Sequence, residues 1–212
     1  MSTTKRKVKI ILPTQATQKM FLNRGWELVD ENDKDTKADL ICFTGGEDVS
    51  PELYQEEPHE KTHNNWKRDI KEMEIFEKYR SLPKVGICRG GQFLNVMSGG
   101  SMWQHVNNHG LTGGHQMLDL LLSKKTVFVT STHHQMMIPS KEGTVIAVAH
   151  CATQFESKKA SRKRPKYDTE VVWYKETMSL CYQPHPEYWL SENKNSGNQA
   201  YFFNLIDYLM FN

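Results

Sequence analysis

Lys84-Val-Gly-Ile-Cys88-Arg-Gly-Gly-Gln92 is the stretch on which the reading of this chain turns. Val85 to Ile87 is a short run suited to a strand, and glycines at 86 and 90 flank a single cysteine. That pattern has the form of a nucleophile elbow, a strand turning sharply into a helix with the reactive side chain at the turn. Small flanking residues are needed because the backbone passes closely on both sides. A thiolate at a helix N-terminus is favoured by the aligned peptide dipoles, which makes Cys88 a candidate nucleophile. Far downstream the chain reads Gln183-Pro-His185-Pro-Glu187, supplying a candidate base and a carboxylate to orient it. Cys88, His185 and Glu187 form a set suited to acyl transfer.

Outward from the elbow, strands and helices alternate. Lys7 to Leu12 reads as a first strand broken by Pro13, and a helix is expected over 15–24, closed by Gly25. Trp26 to Val29 is a second short strand. Leu40 to Phe43 is continuously apolar, as in a strand buried on both faces of a parallel sheet, and after Thr44 it ends in Gly45-Gly46. The polar segment from Glu47 to Asn65 is too long for a mere connection. Trp66, Ile70, Met73, Phe76 and Tyr79 recur at helical spacing, predicting a helix over 66–80. The elbow helix is expected to reach Ser98, before Gly99-Gly100. Further strands are expected over 126–130, 144–149, 170–174 and 178–182, with a closing helix from about Gly197 to Met210. The segment from Glu156 to Tyr167 reads as a hairpin tip or mobile loop. Ligand-type residues gather just after strand ends, the signature of an α/β, doubly wound, mostly parallel sheet with helices on both faces. A chain of 212 residues suits one such domain over 1–212.

Composition narrows the partners. Net charge is +2, and no stretch approaches the roughly 18 to 20 apolar residues of a membrane span. Met1 to Lys7 is not followed by the apolar core of a secretory signal, so a cytoplasmic location is expected. Lys158, Lys159, Arg162, Lys163, Arg164 and Lys166 read as a solvated basic loop, and no nucleic-acid motif accompanies them. Cys42, Cys88, Cys151 and Cys181 lack C-x-x-C spacing; Cys42 and Cys181 read as buried free thiols in a reduced compartment. His105 and His109 are four apart, with His115 nearby and His133-His134 further on. Asn107-Asn108 and Gly110 mark that segment as a loop, and no neighbouring Cys or carboxylate completes a tetrahedral set, so no metal is expected. Arg68 and Glu72 are spaced for pairing on a helix surface.

Phe43-Thr-Gly-Gly-Glu-Asp-Val-Ser-Pro-Glu-Leu-Tyr54, Arg68-Asp69, Gly86-Ile-Cys-Arg-Gly-Gly-Gln92, Gly99-Gly-Ser101, Ser131-Thr-His133-His-Gln135 and His185-Pro-Glu187 follow one another in order. The set resembles the class I glutamine amidotransferase superfamily from about Leu40 to Glu187, and looks most like its γ-glutamyl hydrolase branch, especially the γ-glutamyl-γ-aminobutyrate hydrolases. The resemblance implies a flavodoxin-like fold and hydrolysis of a γ-glutamyl amide, in glutamine or a γ-glutamyl-amine, through a thioester on Cys88. His185 would be the base and Glu187 its orienting carboxylate. Backbone N–H groups of Gly46 and Arg89 would form the oxyanion hole, and Gly45, Gln92, Ser131, His133 and Gln135 would contact the substrate. Arg68-Asp69 would form a structural salt bridge near the site. No cofactor is implied. Two alternatives stand beside this reading: a glutaminase component delivering ammonia to a separate synthetase partner, and a non-catalytic binding or regulatory protein. Gly91 stands where a larger residue is common, and Thr130 where Asn is common; both bear on leaving-group specificity.

Overall fold

In chain order the computed structural model holds β1 (Lys7–Ile11), α1 (Gln15–Asn23), β2 (Glu27–Val29), β3 (Leu40–Phe43), α2 (Trp66–Lys78), β4 (Lys84–Ile87) and α3 (Arg89–Met97). There follow β5 (Ser101–Trp103), β6 (His105–Val106), β7 (His115–Asp119), β8 (Thr126–Val129), β9 (Met136–Ile138), β10 (Thr144–Ala149), β11 (Phe155–Glu156), β12 (Asp168–Tyr174), β13 (Ser179–Tyr182) and α4 (Asn195–Met210). The residues described are 5–33, 36–110, 113–158, 162–188 and 195–212.

Nine strands form one sheet in the order β2-β1-β3-β4-β13-β12-β10-β7-β8. The first five pair in parallel, with the strand order of a flavodoxin-like sheet. The other four continue it through antiparallel pairings, so that β12 and β7 alone run against the rest. The period of two along each strand sorts side chains to opposite faces. Leu40 and Cys42 of β3 join one core with Phe21 of α1 and Phe202 of α4. Ile41 and Phe43 join the other, with Phe76 of α2 and Phe93 of α3. Each fully buried side chain of this kind stabilises the fold by roughly 1.5–3 kcal/mol relative to exposure. Apolar residues at consecutive positions are therefore required here, which is why β3 reads as an unbroken apolar run.

The helix ends follow local chemistry. Thr14 and Thr17 form a reciprocal capping box at the start of α1, and Gly25 takes the positive φ (+89°) that follows its end. The Asn65 side chain caps α2 by accepting from the N–H of Arg68. At the other end Lys84, buried at the start of β4, donates to the carbonyls of Tyr79, Arg80 and Leu82.

Between β4 and α3 the backbones are in close contact. A methyl at Gly86 would overlap the carbonyl of Gly90, and one at Gly90 would overlap the carbonyl of Phe43. Neither obstacle is a flexible side chain. Gly86→Ala is expected to destabilise the protein by about 3 kcal/mol or more, the upper range for an overpacked core. For a chain of this size that lowers Tm by roughly 6–12 °C; a thermal melt indistinguishable from wild type would refute the close approach.

Some elements depart from the sequence reading. The segment read as a loop over 105–117 contains β6 and the start of β7. Strands β5 with β9, and β6 with β11, form two small antiparallel ribbons beside the main sheet. The basic segment is not simply solvated. Arg162 donates to the carbonyl of Met102, pairs with Glu56 and lies over Trp103, while Arg164 lies over Phe155 and donates to the carbonyl of Ala152. Lys159 lies outside the described residues. The four cysteines are free, and burial pushes the thiols of Cys42 and Cys181 up, so both stay protonated. Among the described residues no helix is long and apolar enough to cross a membrane.

Candidate active site

Three neighbouring parallel strands, β3, β4 and β13, deliver their carboxyl ends to one edge of the sheet. Thr44-Gly45-Gly46 follows β3, Cys88 follows β4, and Gln183 to Glu187 follows β13. Crevices at such strand ends are where open α/β sheets place their ligands. Cys88 has φ +51° and ψ −112°, a strained conformation for a non-glycine residue. It is held there because its N–H donates to the carbonyl of Tyr182 (2.8 Å) while its own carbonyl accepts the N–H of Gln92 (3.0 Å).

His185 Nδ1 lies 2.8 Å from Glu187 Oε1, which leaves Nε2 free of the carboxylate. Burial alone would favour the neutral ring. The Cys88 sulfur and Glu187 outweigh it and hold the imidazolium well above the ordinary histidine value. The His185 backbone is fixed by the Thr130 hydroxyl, which donates to its carbonyl (2.8 Å) and accepts its N–H (2.9 Å). Asn198 of α4 donates to the same carbonyl, and the Tyr188 ring stacks on the imidazole at 4.3 Å. Gln183 Nε2 donates to Cys88 Sγ at 3.7 Å.

The Gly45-Gly46 turn closes the arrangement. A methyl on Gly45 would lie 3.0 Å from His185 Cε1 and 3.7 Å from Cys88 Cβ. Gly46 has φ +145°, and a methyl there would overlap the Arg68 guanidinium. Arg89 is the first residue of α3, so its N–H is a donor that the helix leaves unused.

Behind these donors lies a buried charge network. The Arg89 guanidinium, 1 % exposed, pairs with Asp69 and Glu72 of α2. Asp69 also accepts the N–H of Ser50 (3.0 Å) and its hydroxyl. Glu72 accepts from Arg68 Nε (2.9 Å), and Arg68 Nη2 donates to the carbonyl of Thr44 (3.0 Å). The Arg68–Glu72 pair, spaced for a helix surface, is therefore one arm of an interior network linking the elbow to the Gly45-Gly46 turn.

A cleft of about 170 Å³ opens in front of Cys88, walled by Gly46, Glu47, Asp48, Gln92 and the 132–135 segment. Gln92 and Gln135 meet in this wall, where Gln92 Nε2 donates to the Gln135 carbonyl and to Gln183 Oε1, both at 3.2 Å. The His133 ring turns inward, its Nδ1 2.8 Å from the Gln135 carbonyl. Burial and the nearby His109 push its imidazolium form down to about 3, so the ring is neutral. Ser131 is buried outside the cleft lining, its hydroxyl donating to the carbonyl of His109. Thr130, Gln183 and Asn198 are the site residues that sequence reasoning did not assign. Gln183 had a signal, its place in Gln-Pro-His-Pro-Glu; Asn198 had none, because its contact is made across the chain.

A family model described as Peptidase C26 matches residues 30–162, well over half of the chain and including the elbow. The chain belongs to the Peptidase C26 family. As a Peptidase C26 protein it falls within the class I glutamine amidotransferase superfamily. Protein NtpR of Enterococcus hirae is 38% identical over 76 residues, which are 34% of this chain and 32% of that protein. A Mycobacterium tuberculosis protein named "Putative glutamine amidotransferase" is 31% identical over 126 residues, 50% of this chain and 41% of that one. The chain thus spans less than half the length of these curated relatives. A Thermotoga maritima glutamine amidotransferase has the same fold, with TM-score 0.59 at 16% identity over 97% of this chain and 86% of that one. So has a Thermoplasma acidophilum protein described as a "putative gmp synthase subunit a", with TM-score 0.62 at 15% identity over 97% and 99%. The Peptidase C26 match ends before His185 and Glu187, which are joined to Cys88 by the fold alone.

Proposed function

We propose that this Peptidase C26 chain hydrolyses a γ-glutamyl amide bond, in glutamine or a γ-glutamyl-amine, through a thioester on Cys88. The observation that carries the reading is the His185 ring, fixed on Glu187 at 2.8 Å through Nδ1 and packed with Cys88 against the Gly45 turn, where the cysteine sulfur and Glu187 raise its basicity. In the first half-reaction the Cys88 thiolate attacks the side-chain carbonyl carbon. The resulting oxyanion is received by the N–H groups of Gly46 and Arg89, donors of a kind each worth on the order of 10²–10³ in turnover. The C–N bond then breaks, and the departing amine takes its proton from His185. In the second, His185 takes a proton from water, hydroxide adds to the thioester, and the C–S bond breaks to release the glutamyl acid and restore the thiolate. Glu187 orients the ring and balances its charge throughout.

The raised His185 value sets the pH dependence. The protonated ring is the acid that the leaving amine requires, and it is lost only as pH rises through that raised value. Because the Cys88 sulfur raises the ring in the free enzyme, the alkaline limb of kcat/KM is expected well above the value of about 6.5 at which free imidazole titrates. The direct test measures glutamate and ammonia release from glutamine, with γ-glutamyl-γ-aminobutyrate alongside, across pH 5 to 11. Turnover of either substrate, with an alkaline limb far above neutrality, is the expected result; a limb near that of free imidazole would detach His185 from the chemistry.

The second reading, a glutaminase component serving a synthetase, draws support from the match in length and fold to a chain described as a synthase subunit. It predicts that Cys88 reacts with a glutamine-analogue electrophile while neither amide turns over in the isolated chain.

A further inference from the structure

Behind the cleft, sharing His133 with its wall but outside the Cys88–His185–Glu187 set, lies a cluster that the proposed chemistry does not use. His109 comes from the segment after β6, His133 from the segment between β8 and β9, and Glu170 from β12. All three are buried, at 0, 4 and 0 % exposure. His109 Nδ1, His133 Nε2 and Glu170 Oε2 are buried polar atoms without a hydrogen-bond partner. One ligand atom from each residue lies within 4.8 Å of those of the other two. Unpartnered polar atoms on three neighbouring buried side chains are unusual, because each such group costs about 1–3 kcal/mol.

The outer hydrogen bonds of the cluster define which lone pairs face inward. His133 Nδ1 faces the Gln135 carbonyl, which can only accept, so the proton sits on Nδ1 and Nε2 carries a lone pair. His109 Nε2 lies 3.0 Å from Asp168 Oδ2, a carboxylate that likewise draws the proton to that side and leaves Nδ1 bare. Glu170 Oε1 is held at 2.9 Å by His115 Nε2. Two imidazole lone pairs and a carboxylate therefore converge, with His109 Nδ1 3.5 Å from Glu170 Oε1. Ligand atoms on a tetrahedral zinc with bonds of about 2.0–2.1 Å lie roughly 3.4 Å apart. Three acceptors at this spacing repel one another unless a proton or a metal cation lies between them.

We propose that His109, His133 and Glu170 form a three-ligand site for a divalent transition-metal ion of the zinc type. Two imidazoles and one carboxylate are a donor set that such ions accept. Each ligand is oriented from its far side, by Asp168, by the Gln135 carbonyl and by His115, the outer-shell support that metal ligands characteristically carry. The ion would fasten two loops to β12 directly behind the wall formed by Gln92 and Gln135, a structural role separate from the thioester chemistry. The carboxylate missing from the sequence reading of these histidines is Glu170, which only folding brings to them.

The test uses the full-length protein carrying Cys88→Ala, so that the reactive thiol cannot serve as a ligand. Protein stripped with chelator is titrated with zinc, and separately with cobalt, followed by metal analysis after gel filtration, thermal melting and visible absorption. One equivalent of zinc, a rise in Tm reversed by chelator, and cobalt d–d bands without a thiolate charge-transfer band are expected. Asp168→Asn, which leaves the ligands in place, should weaken binding by about 10–100-fold. In His109→Ala and Glu170→Gln the stoichiometric binding should disappear. The proposal is overturned if the Cys88→Ala protein takes up neither metal at one equivalent. It is equally overturned if binding survives both ligand substitutions, or if Asp168→Asn, folded by circular dichroism, binds zinc as tightly as its parent.

Discussion

Replacing Cys88 with alanine is expected to lower kcat by on the order of 10⁶-fold, the loss seen when the nucleophile of a comparable three-residue unit is removed. That corresponds to about 8 kcal/mol of barrier. Among the described residues no other thiol lines the cleft. Gln183, which donates to the sulfur, is a neutral amide, and the buried Cys42 and Cys181 have thiols raised by desolvation. The fold should survive, because alanine occupies the same backbone conformation and removes only one buried atom. A Tm within a few degrees of wild type together with undetectable glutamate release is the expected pair of results. Intact-mass analysis after exposure to a glutamine-analogue electrophile should show a single adduct on the wild type and none on the variant. Retention of more than about 1% of wild-type turnover would exclude Cys88 as the nucleophile, given the size of the expected loss.

Arg89→Met should produce the largest stability effect. The guanidinium is 1 % exposed, and its partners Asp69 and Glu72 are fully buried. Removing one partner of such a network leaves uncompensated charge in the interior, at a cost of about 3–5 kcal/mol. For a chain of this length the expected fall in Tm is roughly 6–20 °C. Neutralising the carboxylates as well, with Asp69→Asn and Glu72→Gln, should recover much of the loss, because the unpaired charge then disappears. Arg68 would keep its hold on the Thr44 carbonyl, so turnover in the triple variant reports on what Arg89 itself does for the elbow. If that role is positioning the first N–H of α3, kcat should fall while KM changes little. A single variant as stable as wild type would show that the network carries no net charge penalty.

Much of the architecture was legible because its causes are local or periodic. Leu40 to Phe43 announces a strand buried on two faces, since both cores need consecutive apolar residues. Gly25 marks the end of α1 through its own conformation, whereas the caps at Thr14 and Asn65 emerged only with the structure. The small ribbons escaped notice because strands of two or three residues, such as β6 and β11, carry too few positions for a period to emerge. Arg162 and Arg164 read as solvent-facing because a basic run gives no sign of the glutamate, carbonyls and aromatic rings that receive two of its members.

The candidate site divides along the same line. The sequence by itself determined the elbow, because a cysteine between two backbones in contact demands glycine at 86 and 90, and it determined the His-x-Glu pair, whose two residues are near neighbours in the chain. Only the tertiary structure decided which distant groups complete these pieces. Thr130 and Asn198 clasp the backbone of His185, Arg89 turns into α2, and Glu170 joins His109 and His133. Such contacts are made by residues far apart along the chain, so no local pattern records them. The clasp on His185 and the pairing of Arg89 exist because buried polar atoms must find partners wherever folding has placed them.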